Sequence, residues 1–401
     1  MQRVRVGIIG ASAAVEWAIL PVLSGPDALS PPDSGAWWQR RPTPAGDIRY
    51  QAPATPEVVA LCAAPPEEEW GKTNKAPARL TQMAHAARVG AVYPDPLALL
   101  REVSLDALLL AEEDAFSPAA VAALAASAPG LKNGVSAPRW LWIEGPPARS
   151  SGDLNAWARA VAGRKPSLWM AAPLRRAAAH RAARRLIERD GIGPVTAIQA
   201  RLPFALDSAR FGAAYAAFEM LLSLLIPTQL PLDVTALRHP DGAASALIRF
   251  AGGASLSALF SAADAWNAPL PRVEVCGTQG RSLVCESGRR LLHYVPREGA
   301  RMWEPPGLAA HVSAPSLAGY AEDLKAFLSV CTDNPAPFGA ERALDAAARS
   351  LSVLEATLQS LESGGTVPIE ARGIALDVAV ADETSANADE APRNLTLDLG
   401  E

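Results

Sequence analysis

The sequence predicts an α/β fold in two parts, a doubly wound parallel sheet followed by an α/β domain built on an open, mostly antiparallel sheet. Three observations predict it. Val4–Leu23 reads as a buried strand that breaks at Gly10 into an apolar helix. Strands then alternate with helices as far as Ala172, the pattern of a parallel sheet covered on both faces. From Val195 onward strands follow one another with few helices between them, which points to antiparallel pairing.

Composition sets the outer bounds. The 401 residues suffice for two domains with cores of their own. With 49% hydrophobic and 20% charged residues, the chain has an ordinary globular composition. A net charge of −5 makes no electrostatic case for nucleic acid or an anionic membrane as partner. Cys62, Cys276, Cys285 and Cys331 lie far apart, with no CxxC pair and no histidine at ligand spacing. This argues against a structural zinc, leaves the expected metal set empty, and fits a reducing cytoplasm. The chain passes from MQR directly into a strand with no signal peptide, and no apolar run is long enough for a bilayer.

The first strand rests on Val4, Val6, Ile8 and Ile9. Beyond Gly10, a helix N-terminus offers backbone N–H groups and a positive dipole end to a pyrophosphate. The dinucleotide fingerprint GxGxxG stands here as GxSxxV, with Ser12 at the second glycine position and Val15 at the third. Ser12 still lets a phosphate approach, whereas Val15 must alter the packing of helix on strand. The stretch therefore reads equally as a nucleotide site formed by Gly10, Ala11, Ser12 and Ala13 or as a plain strand–turn–helix. Residues 24–55 form an insertion in which Trp37 and Trp38, beside Arg40 and Arg41, either stack on a ligand or cover an edge of their own domain.

Glu57–Ala64 is the second strand. Its end, Ala63–Ala64–Pro65, lacks the acid that usually holds a ribose. Glu67, Glu68 and Glu69 either reach that far or simply begin a helix. No arginine waits for a 2′-phosphate, so NAD and NADP both remain open. Helix Ala78–Arg88, strand Ala91–Tyr93, helix Leu97–Val103 and strand Leu105–Ala111 follow. Glu112, Glu113 and Asp114 then repel a pyrophosphate unless they turn away. After helix Pro118–Ala126, strand Arg139–Ile143 ends in Glu144–Gly145–Pro146. Helix Leu154–Ala162 and strand Leu168–Ala172 close the first domain, 1–172.

The second domain, 173–380, opens with helix Leu174–Arg189, stopped by Gly191 and Pro194. Its strands are Val195–Leu202, Ala244–Phe250, Ser255–Phe260, Arg272–Cys276 and Ser282–Glu286, and its helices Ala213–Leu225, Tyr320–Val330 and Ala340–Leu361. The acidic tail, 381–401, is expected to be partly disordered.

In this order the elements resemble the Gfo/Idh/MocA family of sugar and cyclitol oxidoreductases over roughly residues 4–370. The resemblance is carried by VGIIG at Val6–Gly10, YPDPLALL at Tyr93–Leu100, DALLLA at Asp106–Ala111, and EGP at Glu144–Pro146. It continues through IERDGIGPV at Ile187–Val195, VEVCGTQGRSL at Val273–Leu283, YAEDLKAFL at Tyr320–Leu328 and the stretch Asp345–Ile369. No single motif is specific; together and in order they are strong. The run Gly10–Ser12, Trp17–Ala18, Leu20–Pro21 looks closest to the branch holding the yeast galactose-pathway repressor, which resembles an oxidoreductase but regulates by binding. The resemblance implies a Rossmann-type domain, an NAD or NADP cofactor, and a sugar-like small-molecule ligand. It also implies a homo-oligomer, or a heteromer with an active paralogue, formed through the open sheet. It places Gly10, Ala11, Ser12, Ala13, Ala63, Ala111, Glu144 and Pro146 around the cofactor.

The departures bear on chemistry. The family's Glu-Lys-Pro is Glu144–Gly145–Pro146 here, so the cation that polarises the substrate hydroxyl is gone. Pro146 is the family's usual cis position. The family's DxGxHxxD helix corresponds to Phe211–Leu222, with Phe218 and Leu221 at the histidine and aspartate positions, or Tyr215 at the histidine position one turn earlier. Tyr215 and Glu144 are the remaining candidates for acid–base work, Tyr215 and Arg176 for substrate binding. The plain alternatives are a core position for Tyr215, a solvent-facing Glu219, and a solvated basic face carrying Arg176, Arg181, Arg184, Arg185 and Arg189. His85, His239, His293 and His311 are isolated, and Asp323 and Lys325 read as an uninformative surface pair. The expectation is a catalytically impaired relative acting as sensor or partner subunit. An active enzyme using Tyr215 and a structural subunit with a dead cofactor site stand beside it.

Overall fold

The computed structural model describes residues 2–12, 14–24, 54–65, 69–70, 72, 75–111, 121, 135–155, 167–207, 210–225, 229–261, 271–304, 315–333 and 340–370. The insertion with Trp37 and Trp38, the acids Glu67, Glu68, Glu112, Glu113 and Asp114, and the acidic tail lie outside them, as does Ala13.

Strand β1 (Gln2–Ile9) is buried on both faces from Val6 to Ile9 and sits at the centre of a six-stranded sheet. Val4, Val6 and Ile8 enter one core cluster and Ile9 the other. Each such side chain contributes roughly 1.5–3 kcal/mol on burial. Its companions are β2 (Ala54–Cys62), β3 (Val92–Tyr93), β4 (Ala107–Leu110), β5 (Trp140–Ile143) and β6 (Ser167–Met170). They lie in the order β3-β2-β1-β4-β5-β6, every pair parallel. The order reverses between β1 and β4, so the ligand crevice of such a sheet lies beyond their carboxyl ends. The predicted α/β architecture is the observed one.

The first helix is not uniform. Val15–Ile19 is a π-helical turn, and only Leu20–Ser24 (α1) is α-helical. Val15 is fully buried in the position where a third glycine would let helix and strand touch, and the wider turn begins at that residue. Helices α2 (Ala78–Ala86) and α3 (Pro96–Glu102) follow; Asp95 caps α3, its Oδ1 accepting the Ala98 N–H at 2.9 Å.

The expected single helix Leu174–Arg189 is two helices, α4 (Pro173–Arg176) and α5 (Ala178–Glu188). Ala177 adopts an extended ψ of 142°, and the Ala179 N–H bonds the Gly288 carbonyl at 3.0 Å. The break turns α5 onto the second sheet while α4 stays at the edge of the first.

The second sheet has nine strands in the order β14-β13-β12-β11-β7-β10-β9-β8-β15. They are β7 (Val195–Leu202), β8 (Pro231–Arg238), β9 (Ala244–Phe250), β10 (Ser255–Phe260), β11 (Arg272–Gly277), β12 (Ser282–Glu286), β13 (Arg290–Val295), β14 (Gly299–Trp303) and β15 (Thr366–Pro368). Only β7 and β10 pair in parallel. Helices α5, α6 (Phe211–Leu222) and α8 (Ala340–Ser363) cover one face. Ile198, Ala200 and Leu202 of β7 point into it, while Gln199 and Arg201 point to the other, exposed face. Helix α7 (Pro315–Asp333) returns instead to the first sheet, where Leu324, Phe327 and Leu328 pack against the face carrying Val4, Val6 and Ile8.

Candidate functional site

The site is built from the carboxyl ends of β1, β2, β4, β5 and β6. Gly10 ends β1 at φ +118°, a conformation reserved for glycine, and its N–H bonds the Cys62 carbonyl at 3.0 Å. Ser12 then caps the helix: its Oγ accepts the Val15 N–H at 3.3 Å and its carbonyl the Glu16 N–H at 3.2 Å. The ends of β2 and β4 carry only Ala63, Ala64 and Ala111. Where a ribose-binding acid would stand, Trp70 folds back and donates its indole N–H to the Pro65 carbonyl at 3.1 Å, and Glu69 is exposed. The residues at these three strand ends are small: Gly10 and Ser12 after β1, Ala63 and Ala64 after β2, and Ala111 after β4. Several N–H groups that would cradle the phosphates of a dinucleotide, those of Gly10, Val15 and Glu16, already have partners inside the chain.

At the end of β5, Glu144 is half-buried and accepts a hydrogen bond from the Tyr320 hydroxyl of α7. Gly145 follows at φ +78°, and Pro146 is buried. One turn beyond Tyr320, Asp323 is fully buried, which corrects its reading as a surface group. Its Oδ2 accepts the indole N–H groups of Trp142 (2.7 Å) and Trp169 (3.0 Å). Its Oδ1 accepts Nε of Arg176 (2.7 Å) and the Ala172 N–H (3.3 Å). The Arg176 guanidinium also lies over the Trp169 ring, 5.0 Å from its centroid. Burial pulls the Arg176 pKa down, and Asp323 opposes that pull.

A second pair adjoins this one. Glu219 of α6 is buried, not solvent-facing, and its carboxylate meets Nη1 of Arg175 at 2.8 Å. Burial raises the Glu219 pKa above the usual carboxylate range, with Arg175 opposing. Tyr215, one turn earlier on α6, is 2% exposed in the core, and burial holds its phenol protonated well above its ordinary range, the Glu219 charge adding to the effect. Phe218 and Leu221, at the family's histidine and aspartate positions, are core residues.

The structure thus gathers Glu144, Arg176 and the α6 residues at one edge and leaves His85, His239 and His293 elsewhere. Among the described residues no group of three or more His, Cys, Asp or Glu could hold a metal, and no described helix is long and apolar enough to cross a membrane. The residues that sequence reasoning missed are Tyr320, Asp323, Trp142 and Trp169. A signal existed: two tryptophans in buried strands need acceptors for their N–H groups. A lone aspartate on the apolar stripe Tyr320, Leu324, Phe327, Leu328 is a ready acceptor.

With the geometry in hand, solved structures give the fold its class. Levoglucosan dehydrogenase in complex with NADH and L-sorbose aligns at TM-score 0.64 and 18% identity, over 92% of this chain and 99% of its own. A putative myo-inositol dehydrogenase from Sinorhizobium meliloti aligns at TM-score 0.62 and 18% identity, over 91% and 99% of the two chains. An oxidoreductase from Agrobacterium radiobacter, in complex with NAD+, L-tartaric acid and magnesium, aligns at TM-score 0.66 and 15% identity, over 91% and 98%. The two-sheet α/β fold of this chain is the one those structures share. No family model matches the chain, and no curated protein does.

Proposed function

We propose that this chain is an oxidoreductase-like protein of Gfo/Idh/MocA type that binds NAD or NADP together with a sugar, cyclitol or related small polyol. In this reading its hydride-transfer chemistry is impaired, as in the branch of the yeast galactose-pathway repressor, and it works as a sensor or partner subunit. Gly10, Ala11, Ser12, Ala13, Ala63 and Ala111 would hold the dinucleotide, with Glu144 and Pro146 beside its nicotinamide end and Arg176 on the ligand side. A bound nicotinamide supplies a hydride acceptor; what this chain must add is a group to polarise the hydroxyl and take its proton.

The observation that carries the reading is Gly145 at φ +78° between Glu144 and Pro146. The residue at that place has neither an ammonium group nor a backbone shape that a lysine adopts without strain. The burial of Tyr215 and its raised pKa weigh against it as a substitute. Assembly through the open sheet draws support from Leu237, Leu247 and Met302, which stand exposed on the strands of that sheet.

Calorimetry with NAD and NADP, paired with absorbance at the reduced nicotinamide band against a panel of sugars and inositols, tests the reading. Expected are measurable heat from at least one dinucleotide and no turnover. Turnover that vanishes in Tyr215→Phe would replace it with an active enzyme, and heat from neither dinucleotide with a structural subunit.

A further inference from the structure

Helix α4 (Pro173–Arg176) follows β6, the outermost strand on one side of the first sheet, and ends on an arginine that is held at one end only. Arg176 donates its Nε–H to Asp323 Oδ1 at 2.7 Å, and its guanidinium lies over the Trp169 ring, 5.0 Å from the centroid. Asp323 is in turn fixed by the Trp142 and Trp169 indoles and by the Ala172 N–H. Neither Nη1 nor Nη2 of Arg176 bonds a described residue, and neither is sealed from solvent; the side chain is 25% exposed. We propose that Arg176 selects an acidic ligand, taking an oxyanion (a carboxylate or a phosphate ester) on its Nη1–Nη2 edge. The inference rests on the reading of this crevice as a sugar or polyol site and narrows its ligand to the acidic members of that class.

The chemistry follows from the donor count. A guanidinium carries five N–H donors in a rigid plane, and Asp323 takes one of them. Those on Nη1 and Nη2 are left, and their spacing fits the two oxygens of a carboxylate or two of a phosphate. Charge points the same way. Asp323 is the acid bonded to Arg176, yet its two oxygens also serve three other donors. Burial still pulls the Arg176 pKa down against Asp323, so a second negative group at the open edge favours the charged form. The Asp323 bond and the Trp169 ring order the side chain before any ligand arrives, which lowers the entropy lost on binding. The neighbouring cations are matched, Arg175 by Glu219 at 2.8 Å and Arg181 by Glu322 at 2.5 Å. A dinucleotide's own phosphates lie too far off to be this oxyanion. The turn after β1 that would take the pyrophosphate is three strand spacings from β6, roughly 14 Å along the sheet, and an adenosine beyond β2 is further still.

Calorimetry on the full chain, with NAD in excess throughout, compares D-glucose with D-glucuronate and D-glucose 6-phosphate, which carry an oxyanion where glucose has its primary hydroxyl. Expected is binding of at least one acid about tenfold or more tighter than glucose, and the acid that gains tells carboxylate from phosphate. Arg176→Lys keeps a counter-ion for Asp323 and loses the two-pronged edge, so the preference is expected to shrink to about threefold or less. Its urea midpoint is read alongside, and if that variant does not fold, the acid-against-glucose comparison in the wild type decides alone. Equal affinity for glucose and both acids overturns the acidic ligand and leaves the polyol reading in place. An acid preference that a folded Arg176→Lys does not diminish overturns the assignment to Arg176. Heat from none of the three overturns the polyol reading and the inference with it.

Discussion

Gly145 is more than a missing lysine. Its φ of +78° lies where side chains other than glycine cost about 1–2 kcal/mol. Gly145→Ala and Gly145→Lys are therefore both expected to lower unfolding free energy by about that amount, read by urea denaturation. A lysine variant as stable as the wild type would show that the turn relaxes freely. Asp323 carries a larger consequence. Its removal takes away the counter-ion of Arg176 and the acceptor that two buried indoles share, so Asp323→Ala is expected to cost about 3–5 kcal/mol in the same measurement. The acid was visible in the sequence but not its burial, because helical spacing shows only that Asp323 lies on the apolar stripe. Its partners come from strands 181 and 154 residues earlier, and no local pattern reveals them.

At the scale of elements, α5 docks through His180, whose Nδ1 hydrogen bonds the Leu174 carbonyl at 2.8 Å. A carbonyl only accepts, so Nδ1 carries the proton of the neutral ring. Burial lowers the His180 pKa below its ordinary value of 6.5. The unfolded chain therefore takes up a proton at higher pH than the folded one. This contribution to stability is present above pH ~6.5 and declines as pH falls from there toward the folded pKa. Denaturation midpoints at pH 7.5 and 5.5 should differ less in His180→Gln than in the wild type; equal differences would remove His180 as the source. The strands β4 and β5 were legible because both their faces are apolar, and β1 and β2 because their carboxyl-terminal halves are. β8, β13 and β14 were not: β8 opens on proline, β13 (RLLHYV) sets Leu291 and Leu292 side by side between Arg290 and His293 and so shows no period of two, and β14 is mostly exposed. The split between α4 and α5 was equally hidden, since Ala177 favours helix and the cause is a bond to Gly288 from another element.

On the scale of the whole molecule, the two sheets share helices from the far end of the chain. Glu355 of α8 accepts both the N–H (2.9 Å) and the hydroxyl (2.7 Å) of Ser151, just as Asp323 of α7 binds the first sheet. Among the described residues no helix packs on the face of the nine-stranded sheet that carries Gln199, Arg201 and Leu247, and the proposed function assigns that face to assembly. Light scattering is expected to show an oligomer that Leu247→Glu, changing a residue 46% exposed on β9, drives toward monomer. A monomeric wild type would end that proposal. The fold class was legible from the order of elements alone. The candidate site was legible at the strand ends and hidden where a distant helix completes it.

That completion has a consequence for synthesis. The six strands of the first sheet have all emerged once Met170 has left the ribosome, yet the acceptor for the Trp169 indole lies 154 residues further along. At ordinary translation speeds the nascent sheet waits on the order of 10 s before Asp323 is synthesised. For that interval the part of the apolar flank that Leu324, Phe327 and Leu328 will cover, beside the residues of α1 and α2 already in place, stays open to water.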